Sequence, residues 1–438
     1  MYYYNSSKSY LTWKTFMEKS MKNKKQPSLL GGAMIIAGGT IGAGMLANPI
    51  STAGVWFLGS LLILIYTWFC MMSSGLMLLE ANLHYPTGSS FDTIVKDLLG
   101  KGWNILNGLS LAFVLYILTY AYITSGGGIT EGFLNQLLSS EQSAVEIGRS
   151  SGSLIFTFVL AVFVWFSTKA VDRFSTILIG GMVISFFLSV SGLISSANAD
   201  VLLNSATSQD TQYLPYALVA LPVCLVSFGF HQNVPSLVKY YNRDAGKVSK
   251  SVFVGTFIAL IIYILWQLAI QGNLPRAEFV PVIEKGGDIA ALLAALSKYI
   301  QTDYIALALN FFAYMAIASS FLGVTLGLFD YIADLCGFDD SKAGRTKTAL
   351  ATFLPPLLLS LQFPYGFVIA IGYAGLAATI WAAIVPALLA KASRKKFNKP
   401  SYSCFGGNLM VYFIIIFGVL NILSQLAMQF GWLPEFKG

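Results

Sequence analysis

Charged side chains are scarce in this chain. Asp, Glu, Lys and Arg make up 11% of its 438 residues, whereas a soluble domain carries about 25%. That is too little charge to cover water-facing domains, and a soluble enzyme is excluded. Histidine occurs twice and cysteine four times. Cys70, Cys224, Cys336 and Cys404 are spread without metal spacing, so neither a zinc site nor a disulfide framework follows. No nucleophile–base pair stands out either, and no metal or cofactor is expected. The glycine-dense stretch Ala37–Pro49 lacks the GK[ST] ending that a phosphate loop requires.

What the chain has in abundance is apolar sequence: 56% of it is hydrophobic and its mean hydropathy is +0.68. The apolar residues fall in runs of about 20, the length that crosses a hydrocarbon layer as helix. Eleven spans are expected, at about 29–51, 55–79, 104–128, 152–168, 174–195, 213–238, 252–271, 304–329, 347–361, 366–390 and 410–429. A short amphipathic helix is expected over 88–100. The first run is far longer than a signal-peptide core, so it stays as a span. With the N-terminus inside, 22 of the 27 Lys and Arg fall in inner segments, while Arg149, Arg276, Lys285, Lys298 and Lys437 fall outside. The acidic residues divide evenly, so the asymmetry is the positive-inside rule. It accounts for the net charge of +7 with membrane lipid as partner and no nucleic acid. The C-terminus is then periplasmic and the N-terminus cytoplasmic.

Two spans are poorly suited to unbroken helix. The first holds Gly38, Gly39, Gly42 and Gly44 within seven residues, and each costs a helix interior about 1 kcal/mol relative to Ala. Close helix packing of the Gly38–Gly42 step is one explanation. An unwound mid-membrane segment lining a protein cavity is the other. Span six, Leu221–Tyr241, is punctuated by Pro222, Gly229 and Pro235, with His231-Gln232-Asn233 at a depth where polar groups are expensive. Each interruption opens a set of five spans. That correspondence points to an inverted-repeat transporter with a midplane site.

Several runs carry a resemblance: SLLGGAMIIAGGTIGAGM, YTWFCMMSSGLMLLEANL, SFGFHQNVPSLVKYY, ASSFLGVTLGLFDYIADLCGFDD and AIGYAGLAATIWAAIVPALLAKASRKKF. From about Pro27 to the C-terminus the chain resembles the bacterial aromatic amino acid permeases, of the amino acid–polyamine–organocation superfamily, and its tryptophan-specific branch in particular. The resemblance implies an all-α polytopic membrane protein with a LeuT-type 5+5 inverted repeat plus an eleventh span. It also implies proton-driven import of an aromatic amino acid across the bacterial inner membrane. Tryptophan is ranked before tyrosine and phenylalanine; a sodium-coupled carrier and a transporter-like receptor are the other readings. The expected divisions are a disordered cytoplasmic tail over 1–26, repeats over 27–203 and 204–392, and a loop plus last span over 393–438. A monomer is expected.

An amino acid zwitterion needs an anion site beside a cation site. The N–H groups near Gly42 and Gly44, opening the outer half of span one, suit the carboxylate, with Gly38, Gly39 and Thr40 across the break. Carbonyls of Ile36, Ala37, Val226 and Ser227 suit the ammonium group. Tyr116 and Tyr120 share a helix face with Phe113, and with Phe228, Phe230, Gln232, Ser319 and Ser320 they are the candidates for an aromatic slot. Tyr122 reads as an interfacial belt residue. For proton coupling the candidates are His231, whose imidazole titrates near neutral pH, and Glu80, with pairing to Lys169 or Arg173 as the structural alternative for the latter. Lys169, Asp330 and Asp334 are candidate gating residues, the two aspartates pairing with loop cations. A sodium cage built from Ser319, Ser320 and carbonyls near Ala33 is the competing arrangement.

Overall fold

A computed structural model describes residues 27–138, 147–205, 212–300, 302–397 and 402–437. The tail expected over 1–26 lies outside the described residues, and within them every regular element is helical. The first span is two helices, α1 (Leu29–Thr40) and α2 (Gly44–Ser51), bent by 58° where they meet. Then follow α3 (Trp56–Asn82), α4 (Phe91–Leu99), α5 (Lys101–Leu138), α6 (Arg149–Phe166) and α7 (Thr168–Ser195). The sixth span is again divided, into α8 (Ala217–Ser227) and α9 (Val234–Tyr240). After it come α10 (Ala245–Gln271), α11 (Ile289–Ser297), α12 (Asp303–Cys336), α13 (Lys342–Gln362), α14 (Phe367–Thr379), α15 (Val385–Lys396) and α16 (Gly407–Gln429).

Among the described residues nine helical stretches are long and apolar enough to cross a membrane, ten if the bent pair counts as one span. The segment expected as span nine is the 21-residue α13, which is less apolar because Lys342, Arg345 and Lys347 occupy its first two turns. The expected amphipathic segment is α4, shorter at both ends. Helix starts follow capping chemistry. The Ser28 hydroxyl accepts from Gly31 N–H (3.0 Å), the Asp244 carboxylate from Lys247 N–H (3.0 Å) and the Ser341 hydroxyl from Gly344 N–H (3.1 Å). Gly337, at φ 64°, ends α12 in the left-handed conformation.

The most extensive helix contact joins α7 to α12, while α1 lies on α10 and α8 lies between α2 and α14. The α8–α14 approach depends on Gly375: a Cβ there would stand 2.2 Å from the Pro222 carbonyl oxygen. Backbone cannot yield as a side chain can. Gly375→Ala is therefore expected to destabilise by about 1–3 kcal/mol through overpacking, read as a lower unfolding temperature in detergent. An unchanged value would mean that α8 and α14 separate freely.

Candidate functional site

Ile41, Gly42 and Ala43 interrupt the first span, and Phe228, Gly229 and Phe230 interrupt the sixth, followed by one tight turn at His231–Asn233. The two interruptions meet. The Ser227 hydroxyl donates towards the Gly44 carbonyl (3.0 Å) and the Asn48 side-chain oxygen (2.8 Å). The Tyr263 hydroxyl reaches the carbonyls of Thr40 (2.8 Å) and Ser227 (2.5 Å). Ala43 N–H donates to Ser320 Oγ at 2.9 Å, so α12 also touches the first break. Gly42 permits that approach, since a Cβ there would stand 2.7 Å from Ser320 Oγ. Gly39 abuts the Asn233 amide.

Helix packing does not explain Gly38, whose added Cβ would meet nothing within 4 Å. Gly38, Gly39 and Gln232 are exposed, so both breaks border open space. The Ile36, Ala37, Val226 and Ser227 carbonyls expected for an ammonium group already have donors: Thr40 Oγ1, Ile41 N–H, Gly229 N–H and Tyr263 OH respectively. Phe228 and Phe230 are fully buried. The Phe228 ring centroid lies 5.0 Å from that of Tyr263, and Phe230 fills the space that Gly75 leaves on α3.

His231 is 1% exposed and its Nε2 lies 2.6 Å from Ser74 Oγ. The Ser74 hydroxyl spends its one hydrogen on the Ala382 carbonyl, so Nε2 carries the imidazole proton and donates. Nδ1 is left as a bare lone pair with no partner among the described residues. Phe230 stacks on the ring and Trp381 meets it edge-on.

Other expectations are corrected. Glu80 is 0% exposed and pairs with neither Lys169 nor Arg173. Arg394 binds it through two bonds, Nε to Oε1 at 2.6 Å and Nη2 to Oε2 at 2.8 Å, and Cys404 N–H adds a third at 2.8 Å. Nearby, Lys396 and the Tyr85 hydroxyl hold the exposed Asp97 carboxyl below the usual carboxylate range. Tyr116 and Tyr120 do not reach the breaks: their hydroxyls donate to the carbonyls of Ala351 and Phe363, both at 2.9 Å, tying α5 to α13 and the turn after it. Phe113, on the same face, is exposed, and Tyr122 is buried rather than belted at an interface. Among the described residues Lys169, Asp330 and Asp334 carry no ion pair. Arg345, the cation near the aspartates, instead holds Asp340 (3.1 Å) and the carbonyls of Val164 and Trp165. The sodium cage does not assemble either. Ser319 bonds back to Ala316 in its own helix, and the Ala33 carbonyl is pressed against Gly255 of α10.

The face opposite the basic one is fastened by two arginines. Arg149, at the start of α6, pairs with Asp288, donates to the Thr124 carbonyl (2.7 Å) and lies over the Tyr365 ring. Arg276 donates to the carbonyls of Ala53 and Gly54, between the rings of Tyr213 and Phe436. A cavity of about 400 Å³ lies on this side, lined by Ile50, Val223, Gly372, Gln425 and Phe436, away from the breaks.

Sequence reasoning missed Asn48, Ser74, Tyr263 and Trp381. A signal for one of them exists: Tyr263, Gln267 and Gln271 recur every fourth residue in an otherwise apolar span, a polar stripe on one helix face.

Residues 25–425 match the tryptophan/tyrosine permease family. A tryptophan-specific transport protein of Haemophilus influenzae is 74% identical over 418 residues, 95% of this chain and 100% of its own length. Proteins of the same description are 53% identical in Shigella flexneri, over 94% of this chain and 98% of theirs, and 51% identical in Pseudomonas aeruginosa, over the same shares. The chain belongs to the tryptophan/tyrosine permease family, and is a multi-pass membrane permease of aromatic amino acids rather than an enzyme.

Proposed function

We propose that this permease imports tryptophan across the bacterial inner membrane by proton symport, through a LeuT-type 5+5 repeat with an eleventh span. The observation that carries the mechanism is the meeting of the two helix breaks. Ser227 and Tyr263 knit them together, and Gly44 opens the second half-helix, whose first N–H groups suit a carboxylate. The 74% identity to a tryptophan-specific transport protein favours tryptophan over tyrosine. Between the two coupling candidates, His231 has an unoccupied ring nitrogen and Glu80 is already neutralised by Arg394.

The test is uptake of labelled tryptophan into proteoliposomes holding an inside-alkaline gradient, with unlabelled tryptophan, tyrosine, phenylalanine and indole as competitors. Accumulation that follows the pH gradient, ignores sodium and is competed better by tryptophan than by tyrosine supports the reading. A sodium requirement overturns the coupling assignment; stronger competition by tyrosine than by tryptophan overturns the substrate ranking.

A further inference from the structure

The last carbonyls of a helix lack partners within it, and the aligned peptides give that end about half a negative charge. Two such ends converge here. Thr40 closes α1, Ser227 closes α8, and their carbonyls face the same Tyr263 hydroxyl at 2.8 and 2.5 Å. A phenol has a single hydrogen, so one donor serves two carbonyls. The ring is fully buried and packs on Phe228. Neither break contributes a Lys or Arg. Two negative helix ends around one neutral donor make a place where positive charge is favoured and none is built in.

We infer that Tyr263 holds the place of the substrate's ammonium group. In the empty carrier its hydroxyl satisfies the ends of α1 and α8; on loading, the ammonium, with three hydrogens to donate, takes over at both carbonyls. This rests on the reading of the substrate as an amino acid. Tyr263 acts through Thr40 and Ser227 and is thus a positioning residue, which separates empty from loaded protein rather than weakening both.

Tyr263→Phe keeps the ring and removes the donor. The empty form then leaves both carbonyls unpaired, whereas the loaded form is served by the ammonium. By linkage, the variant binds tryptophan more tightly, about tenfold. The experiment measures unfolding temperature and equilibrium binding of purified wild type and Tyr263→Phe, with tryptophan and with indole-3-propionate, which lacks the ammonium group. The empty variant is expected to melt below wild type, saturating tryptophan to close that gap, and indole-3-propionate to leave it open. Equal rescue by the two ligands, or a gap that persists with tryptophan, overturns the inference and leaves a packing role. If the variant does not fold, 3-fluorotyrosine at position 263 of the otherwise unaltered protein reports instead. Its fluorine resonance is expected to move with tryptophan and not with indole-3-propionate, and the same response to both overturns the inference. Wild type that binds tryptophan while the two ligands act alike fails this inference alone. Wild type that binds no aromatic amino acid fails the substrate reading with it.

Discussion

His231→Ala is expected to abolish gradient-driven tryptophan accumulation while leaving substrate exchange across the membrane intact. With one proton per substrate, a pH gradient of one unit is worth about 1.4 kcal/mol and supports at most about tenfold accumulation. The variant should fall to about unity. The reason lies in the ring's bonding. Nε2–H is spent on Ser74, whose own hydroxyl goes to the Ala382 carbonyl, and among the described residues Nδ1 has no partner at a buried position beside the second break. Exchange requires binding and reorientation but no net proton movement, so it should survive. Counterflow and gradient-driven uptake measured on one reconstituted sample make the distinction. Unaltered pumping in the variant would remove His231 from the mechanism.

The second large effect concerns stability. Glu80→Ala leaves Arg394 without its carboxylate at the mouth of α3, and breaking a buried pair from one side costs about 3–5 kcal/mol. Arg394→Lys should also destabilise, since an ammonium cannot reproduce the two-bond fork. Replacing both residues by Gln should recover part of the loss, because no lone charge then stays buried. Thermal unfolding in detergent, with expression level as a companion measurement, checks the series. A Glu80→Gln protein of normal stability that no longer responds to the pH gradient would transfer the coupling role from His231 to Glu80.

Much of this architecture was legible, and the reasons are local. Four glycines in the first span and the run His231-Gln232-Asn233 in the sixth violate helix chemistry over a few residues, so both interruptions could be located without coordinates. The helix starts at Ser28, Asp244 and Ser341 are likewise short-range events. Pairing across the molecule was not legible. Glu80 and Arg394 are 314 residues apart, and nothing in either neighbourhood singles out the other. Phe113, Tyr116 and Tyr120 share a face because α5 runs unbroken through them, but periodicity does not say what lies opposite. The answer was α13 and the turn beyond it, not the breaks. Tyr263 could have been found from its four-residue spacing with Gln267 and Gln271, because three polar groups in line across an apolar span need a common partner. That partner is the first span, from the Thr40 carbonyl to the Thr52 hydroxyl.

Between α14 and α15 the chain makes a wider, π-type turn at Ile380–Ile384. Such a bulge adds one residue to an α-helix, and one residue is about 100° of rotation and 1.5 Å of advance. The insertion therefore sets the azimuth of everything downstream. It carries the Ala382 carbonyl that meets Ser74, and twelve positions later the Arg394 side chain comes round to Glu80. Shortened by a single amino acid at that point, the helix would regain its regular winding and send Arg394 a quarter-turn away. One irregular loop of backbone thus acts as a phase adjuster shared by the histidine and the buried ion pair.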